Sequence, residues 1–118
     1  MDKPKDVEWL GDSQEVIREF PEDVRADLGA DLFRLQKGME PNNWKPFPGL
    51  KKQAFELRAK DQNGIYRTIY VTFVKNKIYV LHCFQKKSPK TAKGDVEKAN
   101  ERLKSLISTT KRSKKDEK

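Results

Sequence analysis

Arg67 is the residue that least fits its surroundings. In the run from Ile65 to Val74, residues Ile65, Arg67, Ile69, Val71 and Phe73 share one face at the strand period of two. Tyr66, Thr68, Tyr70 and Thr72 share the other. A guanidinium in line with four large apolar side chains needs an acidic partner or an open cleft that admits an anion. Glu56, on the preceding strand-like run, is a partner within reach; a phosphate group is the other solution. Arg58 ends that preceding run and stands across a short hairpin from Arg67, and two arginines on adjacent strands repel unless an anion joins them. In an antiparallel meander, the end of the next strand, Phe84-Gln85-Lys86-Lys87-Ser88-Pro89-Lys90-Thr91, returns to the same edge as Arg67. Arg58, Arg67, Lys86, Lys87 and Lys90 then converge. Such a cluster can hold a phosphodiester and stabilise the charge of its transition state. Tyr66, Tyr70 and Phe84 are candidates to stack on bases, as is Trp44, for which packing is the plainer role. The plainer reading of Lys86, Lys87 and Lys90 is a solvated loop. His82 is the sole imidazole and sits inside a strand-like run, where it is either a supporting core residue or an acid–base catalyst.

The elements that must position these residues are legible in turn. Asp6 to Leu10 alternates polar and apolar and stops at Gly11, a short strand. Asp12 and Glu15 have capping-box spacing, and Val16, Ile17 and Phe20 give a helical stripe. Pro21 ends that helix and can open the next, whose face is Val24, Leu28, Leu32 and Leu35, with Gly38 as terminator. The three prolines and Gly49 between Met39 and Lys52 predict an irregular connection, pinned by Trp44, Phe47 and Leu50. Three strands follow, over 53–59, 65–74 and 78–84, with turns at Asp61-Gln62-Asn63-Gly64 and Lys75-Asn76-Lys77. A last helix is expected from Thr91 to Ile107. The expected architecture is α+β, β-α-α-β-β-β-α: a small antiparallel sheet with two N-terminal helices packed on it and a C-terminal helix. Residues 1–108 form a single domain in this reading, and 109–118 a basic, disordered tail.

Composition narrows the function. The chain has 118 residues, enough for one core, with 26 Lys+Arg against 18 Asp+Glu. The imbalance is uneven: residues 1–40 hold 6 basic and 11 acidic residues, and residues 41–118 hold 20 and 7. A basic remainder behind an acidic first third suits a phosphate-bearing partner. No apolar run approaches the ~18 residues of a membrane span, and Met1 to Asp6 has no secretory h-region, so a cytoplasmic location is expected. A single cysteine, Cys83, excludes an intrachain disulfide and a cysteine-rich zinc site; it reads as a small buried hydrophobe. One histidine excludes a multi-histidine metal site. No cofactor and no metal is expected.

Taken together, four stretches resemble the phage-derived, HigB-like branch of the RelE/ParE toxin superfamily. They are Phe55-Glu56-Leu57-Arg58; Asp61-Gln62-Asn63-Gly64-Ile65-Tyr66-Arg67-Thr68-Ile69-Tyr70; Ile78 through His82-Cys83-Phe84-Gln85-Lys86-Lys87-Ser88-Pro89-Lys90-Thr91; and Asp95-Val96-Glu97-Lys98-Ala99. The similarity spans about residues 5–108. It implies the toxin of a type II toxin–antitoxin module, a hydrolase that cuts mRNA, commonly on the ribosome, without a metal. Translation is thereby inhibited. The implied partners are mRNA, the ribosome and a cognate antitoxin, usually of helix-turn-helix type. The implied chemistry is attack of a ribose 2′-hydroxyl on the adjacent phosphate. On the matching positions, Arg67 would clamp the phosphate, Lys86 and Lys87 would stabilise charge or move protons, and Arg58 would help hold the RNA backbone. Lys90 and Thr91, which close the K-K-x-x-K-T stretch, belong with the RNA-binding residues. The chain departs from many RelE-type toxins in having no Tyr or His in its C-terminal helix, which leaves His82 as the imidazole that could act catalytically. A free lysine, at about 10.4, is a poor base at neutral pH, although neighbouring cations lower that value. Two other functions fit the same residues: a ParE-like inhibitor that binds DNA gyrase, and a phage-derived RNA-binding protein without catalysis. The basic cluster favours the nuclease.

Overall fold

The computed structural model describes residues 3–50, 53–88 and 91–116. β1 (Val7–Trp9) leads into α1 (Ser13–Arg18) and α2 (Glu22–Gln36); β2 (Trp44–Pro46), β3 (Phe55–Asp61), β4 (Gly64–Val71) and β5 (Ile78–Lys86) follow, and α3 (Lys93–Asp116) closes the chain. The five strands form one sheet in the order β1-β5-β4-β3-β2. Three expectations are corrected here. The sheet is mixed rather than antiparallel, because β1 pairs in parallel with β5. The connection after α2 also contains a strand: β2 pairs antiparallel with β3, Trp44 opposite Leu57 and Pro46 opposite Phe55. Prolines hide such a strand in the sequence, yet an edge position tolerates them, since an edge residue's N–H can face away from the ladder. α3 also outruns its expected end near Ile107, covering most of the stretch read as a disordered tail.

The two faces of the sheet carry two cores. On one face Val24, Leu28 and Leu32 of α2 pack with Leu57, Tyr66, Tyr70, Ile78, Val80 and Cys83 of the sheet. On the other Ala99 and Leu103 of α3, with Phe47 and Leu50, pack with Ile69, Val71, Tyr79, Leu81 and Phe84. The alternation read for β4 is therefore observed, with Ile69 and Val71 on one side and Tyr66 and Tyr70 on the other. In β5 the alternation breaks. Ile69 pairs with His82 but Tyr70 pairs with Val80, so Leu81 is an extra residue, a bulge. Leu81 and His82 both face α3 as a result. Arg102 of α3 donates from Nη1 to the Leu81 carbonyl at 2.9 Å and from Nη2 to Asp12 Oδ1 at 2.7 Å.

That second bond changes the reading of Asp12. It occupies the N-cap of α1 but caps nothing with its side chain; the Arg102 guanidinium takes the carboxylate and holds it below the usual range. The neighbouring Gly11 has φ +56°, and a Cβ there would lie 2.4 Å from the Arg102 guanidinium. Gly11→Ala should cost about 1–2 kcal/mol for the left-handed backbone alone, and more through displacement of Arg102. Urea unfolding of the variant checks this; an unchanged midpoint would refute it.

Among the described residues, no helix is long and apolar enough to cross a membrane, and no group of three or more His, Cys, Asp or Glu is placed to hold a metal ion.

Candidate functional site

The hairpin β3–β4 is closed by Asp61 and Gly64, which sets Arg58 directly opposite Arg67 and Glu56 opposite Ile69. On the flanks, β2 places Lys45 opposite Glu56, and β5 places Phe84 opposite Arg67 and Lys86 opposite Ile65. By strand parity Lys45, Glu56, Arg58, Arg67, Phe84 and Lys86 all lie on the α3 side of the sheet. Four cations thus surround one carboxylate.

Arg67 is buried, as its apolar neighbours require, and solves its problem with Glu56: Nη1 lies 2.5 and 2.6 Å from the two carboxylate oxygens. The carboxylate is equally buried. The other cations are more accessible: Arg58 and Lys86 are half-buried and Lys45 is exposed. Two donors are left over. The Nε–H groups of Arg58 and Arg67 are buried without a partner among the described residues. Two unmet donors on directly opposed arginines leave like charges facing each other, and an anion at the accessible ends of Arg58 and Lys86 would quench that repulsion. Partial burial, with Arg67 nearby, lowers the Lys86 ammonium below the ordinary lysine value. Cavities of about 570 and 660 Å³ lie elsewhere, one along β1 and one between Lys3 and Gln36.

The sequence-selected residues fall into three groups. Arg58, Arg67 and Lys86 come together as expected, with Phe84 buried beside them. Tyr66 and Tyr70 do not. They are buried on the opposite face, where Tyr66 packs on Phe20 and Tyr70 on Phe55, with ring centroids 4.9 and 5.7 Å apart. Burial raises the Tyr66 hydroxyl and pushes that of Tyr70 up to about 12, and neither ring is accessible to a base. Lys87 is exposed beyond the end of β5, and Thr91 is half-buried ahead of α3. Lys90 lies outside the described residues. Sequence reading missed Lys45, whose strand was not anticipated. It named Glu56 only as a possible partner.

His82 lies on the same face as the cations but is bonded to α3. Its Nε2 meets Asp95 Oδ1 at 2.7 Å, its Nδ1 is buried without a partner among the described residues, and its ring stacks on Phe84 at 5.3 Å. The imidazole pins the first turn of α3 to the sheet. Burial lowers its basicity, outweighing the opposing pull of Asp95, while Arg102 and Lys98 add to the lowering. A histidine whose folded-state value lies below its unfolded one contributes stability at pH above about 6.5, lost as pH falls through that value toward the folded one. Urea unfolding between about pH 5 and 7.5 should therefore show stability declining on acidification, and His82→Gln should flatten that slope. An unchanged slope would place the titration elsewhere. Cys83, beside it, is buried with Sγ 3.4 Å from Thr68 Oγ1, and burial pushes its thiol up to about 12, as an inert core residue requires.

Comparison with known proteins adds a family and a fold. The sequence over residues 15–104 matches the family described as phage derived protein Gp49-like (DUF891). No curated protein matches significantly. Among solved structures, a double arginine-to-alanine mutant of the Escherichia coli toxin RelE in the free state superposes with a TM-score of 0.57 at 14% identity, over 80% of this chain and 96% of that one. Such low identity speaks for a shared α+β fold. With three-quarters of its length inside the family match and the fold in agreement, the chain belongs to the Gp49-like family of phage-derived proteins.

Proposed function

We propose that this protein is the toxin of a type II toxin–antitoxin pair, of the HigB-like kind, and that it cleaves translated mRNA without a metal. One observation carries the reading: the directly opposed Arg58 and Arg67, each with a buried Nε–H that no described residue meets, amid Lys45, Lys86 and Glu56. A phosphodiester fits this arrangement, because its negative charge would be met by the half-buried Arg58 and Lys86 and the exposed Lys45, with Arg67 behind them. In the reaction the ribose 2′-oxygen bonds to phosphorus and the bond to the 5′ oxygen breaks, leaving a 2′,3′-cyclic phosphate and a 5′-hydroxyl. Glu56 is the carboxylate in the cluster able to accept the 2′ proton. Lys86, its ammonium already made more acidic by its surroundings, is able to give a proton to the leaving oxygen. Arg58, Arg67 and Lys45 face the negative charge that builds on phosphorus. The family match and the RelE-like fold support the toxin reading. Such a toxin would act in the cytoplasm, where ribosomes and mRNA are, and its antitoxin would be a second protein.

The test is induced expression in a bacterial host with 5′-end mapping of mRNA, run beside a DNA-supercoiling assay. New cuts within translated regions, absent with Arg58→Ala/Lys86→Ala, are the expected result. Growth arrest with intact mRNA and altered supercoiling would replace the nuclease with a gyrase inhibitor. Neither arrest nor cuts would leave an RNA-binding protein.

A further inference from the structure

β1 is an edge strand, and its outer side is unfinished. In its parallel pairing with β5, the amide of Ile78 donates to the Asp6 carbonyl at 2.9 Å and the amide of Leu10 to the Val80 carbonyl at 3.0 Å. Residues 6, 8 and 10 therefore turn their backbone groups toward β5, and residues 5, 7 and 9 turn theirs outward. At Lys5 the outward groups are met. The end of α2 acts as a strand would: the Lys5 amide donates to the Gln36 carbonyl at 2.8 Å, and Gln36 Nε2 donates to the Lys5 carbonyl at 2.9 Å. At Val7 and Trp9 no bond from a described residue crosses that edge. Their groups open instead into the cavity of about 570 Å³ that runs along Asp6–Trp9 to α1 and α2.

The lining of this groove specifies an occupant. Its apolar surface is Val7, Trp9, Ile17 and Leu32. Arg18 and Arg25 stand at its rim, exposed and in no ion pair with a described acidic group, within the acidic third of the chain. Of the two acids that also line it, Asp6 is exposed, and Glu8 is bound to Lys77 at 3.3 Å. We infer that the β1 edge accepts an extended segment of a partner protein, one that alternates acidic and apolar side chains and adds to the sheet as a sixth strand beside Val7 and Trp9. The backbone bonds would supply affinity, and the apolar groove and two arginines would select the side chains. This surface is separate from the cation cluster, so the inference stands or falls independently of the nuclease reading.

The probe is a synthetic peptide of alternating Glu and Val, followed by fluorescence anisotropy on the full chain and by amide hydrogen exchange at Val7 and Trp9. Binding that protects both amides is expected. Methylating the peptide's alternate backbone nitrogens should weaken it about tenfold, and Arg18→Gln/Arg25→Gln, which touches no ion pair, roughly fivefold. Equal binding of the methylated peptide would overturn strand addition. Equal binding of a Lys-Val peptide would overturn the acidic preference. No binding at about 1 mM would overturn the site itself. Protection of Val7 and Trp9 by self-association in the absence of peptide would assign the edge to a second copy instead.

Discussion

Arg67→Ala should lower the unfolding free energy by about 3–5 kcal/mol, a large part of a small domain's total stability. The reason is Glu56 rather than the arginine itself. Removing the guanidinium takes away the Nη1 that meets both oxygens of a carboxylate only 3% exposed, and leaves a buried charge without a direct partner. Arg67→Met/Glu56→Met, which removes both charges, should recover most of the loss. Urea unfolding of the three proteins decides it. A loss under about 1 kcal/mol in Arg67→Ala would mean that the pair holds nothing together. The consequence for function is direct: if Arg67→Ala abolishes growth arrest, that result alone does not identify a phosphate clamp, because the fold goes with it.

Arg58→Ala/Lys86→Ala should separate chemistry from folding. Neither side chain is in an ion pair with a described residue, and removing Arg58 relieves its repulsion with Arg67, so the unfolding midpoint should hold or rise. Cleavage, measured as the rate at which 5′ ends appear on a translated mRNA in a reconstituted translation reaction, should fall by about 10²–10³, the usual loss when a positioned donor to the transition state is removed. Unchanged cutting by the folded double variant would sink the assigned site. Loss of cutting together with loss of fold would show that the cluster is structural throughout.

How much of this was legible in the sequence varies by element. Arg67 announced itself by breaking an apolar face, and of its two resolutions, an ion pair or an anion, the structure shows the ion pair with Glu56. Arg58 followed from hairpin arithmetic, since the Asp61–Gly64 turn fixes the register. Tyr66 and Tyr70 were misassigned against the sequence's own logic, because the same parity that exposes Arg67 as discordant puts both tyrosines on the far side. Lys45 was hidden because three prolines masked an edge strand that needs few backbone donors. The parallel pairing of β1 was equally invisible, being a contact across most of the chain with no local signal. The Leu81 bulge could not be read at all: Ile78 to Phe84 is apolar almost throughout, so no alternation exists for an extra residue to interrupt.

That extra residue makes β5 a strand of two phases. Beyond it, even-numbered residues look toward α3: His82, Phe84 and Lys86. Before it, odd-numbered ones do: Tyr79 and Leu81. The Arg102 guanidinium donates to the Leu81 carbonyl at the offset, tethering α3 to the boundary between the two phases of the strand. The end of β5 that carries Lys86 and the end that carries the packing residues are thus set by separate clocks. A change of length on the Ile78 side would reshuffle which residues lie under α1 and α2 while Lys86 kept its place opposite Ile65. The cation surface and the hydrophobic foundation share one strand, but each is free to drift without carrying the other with it.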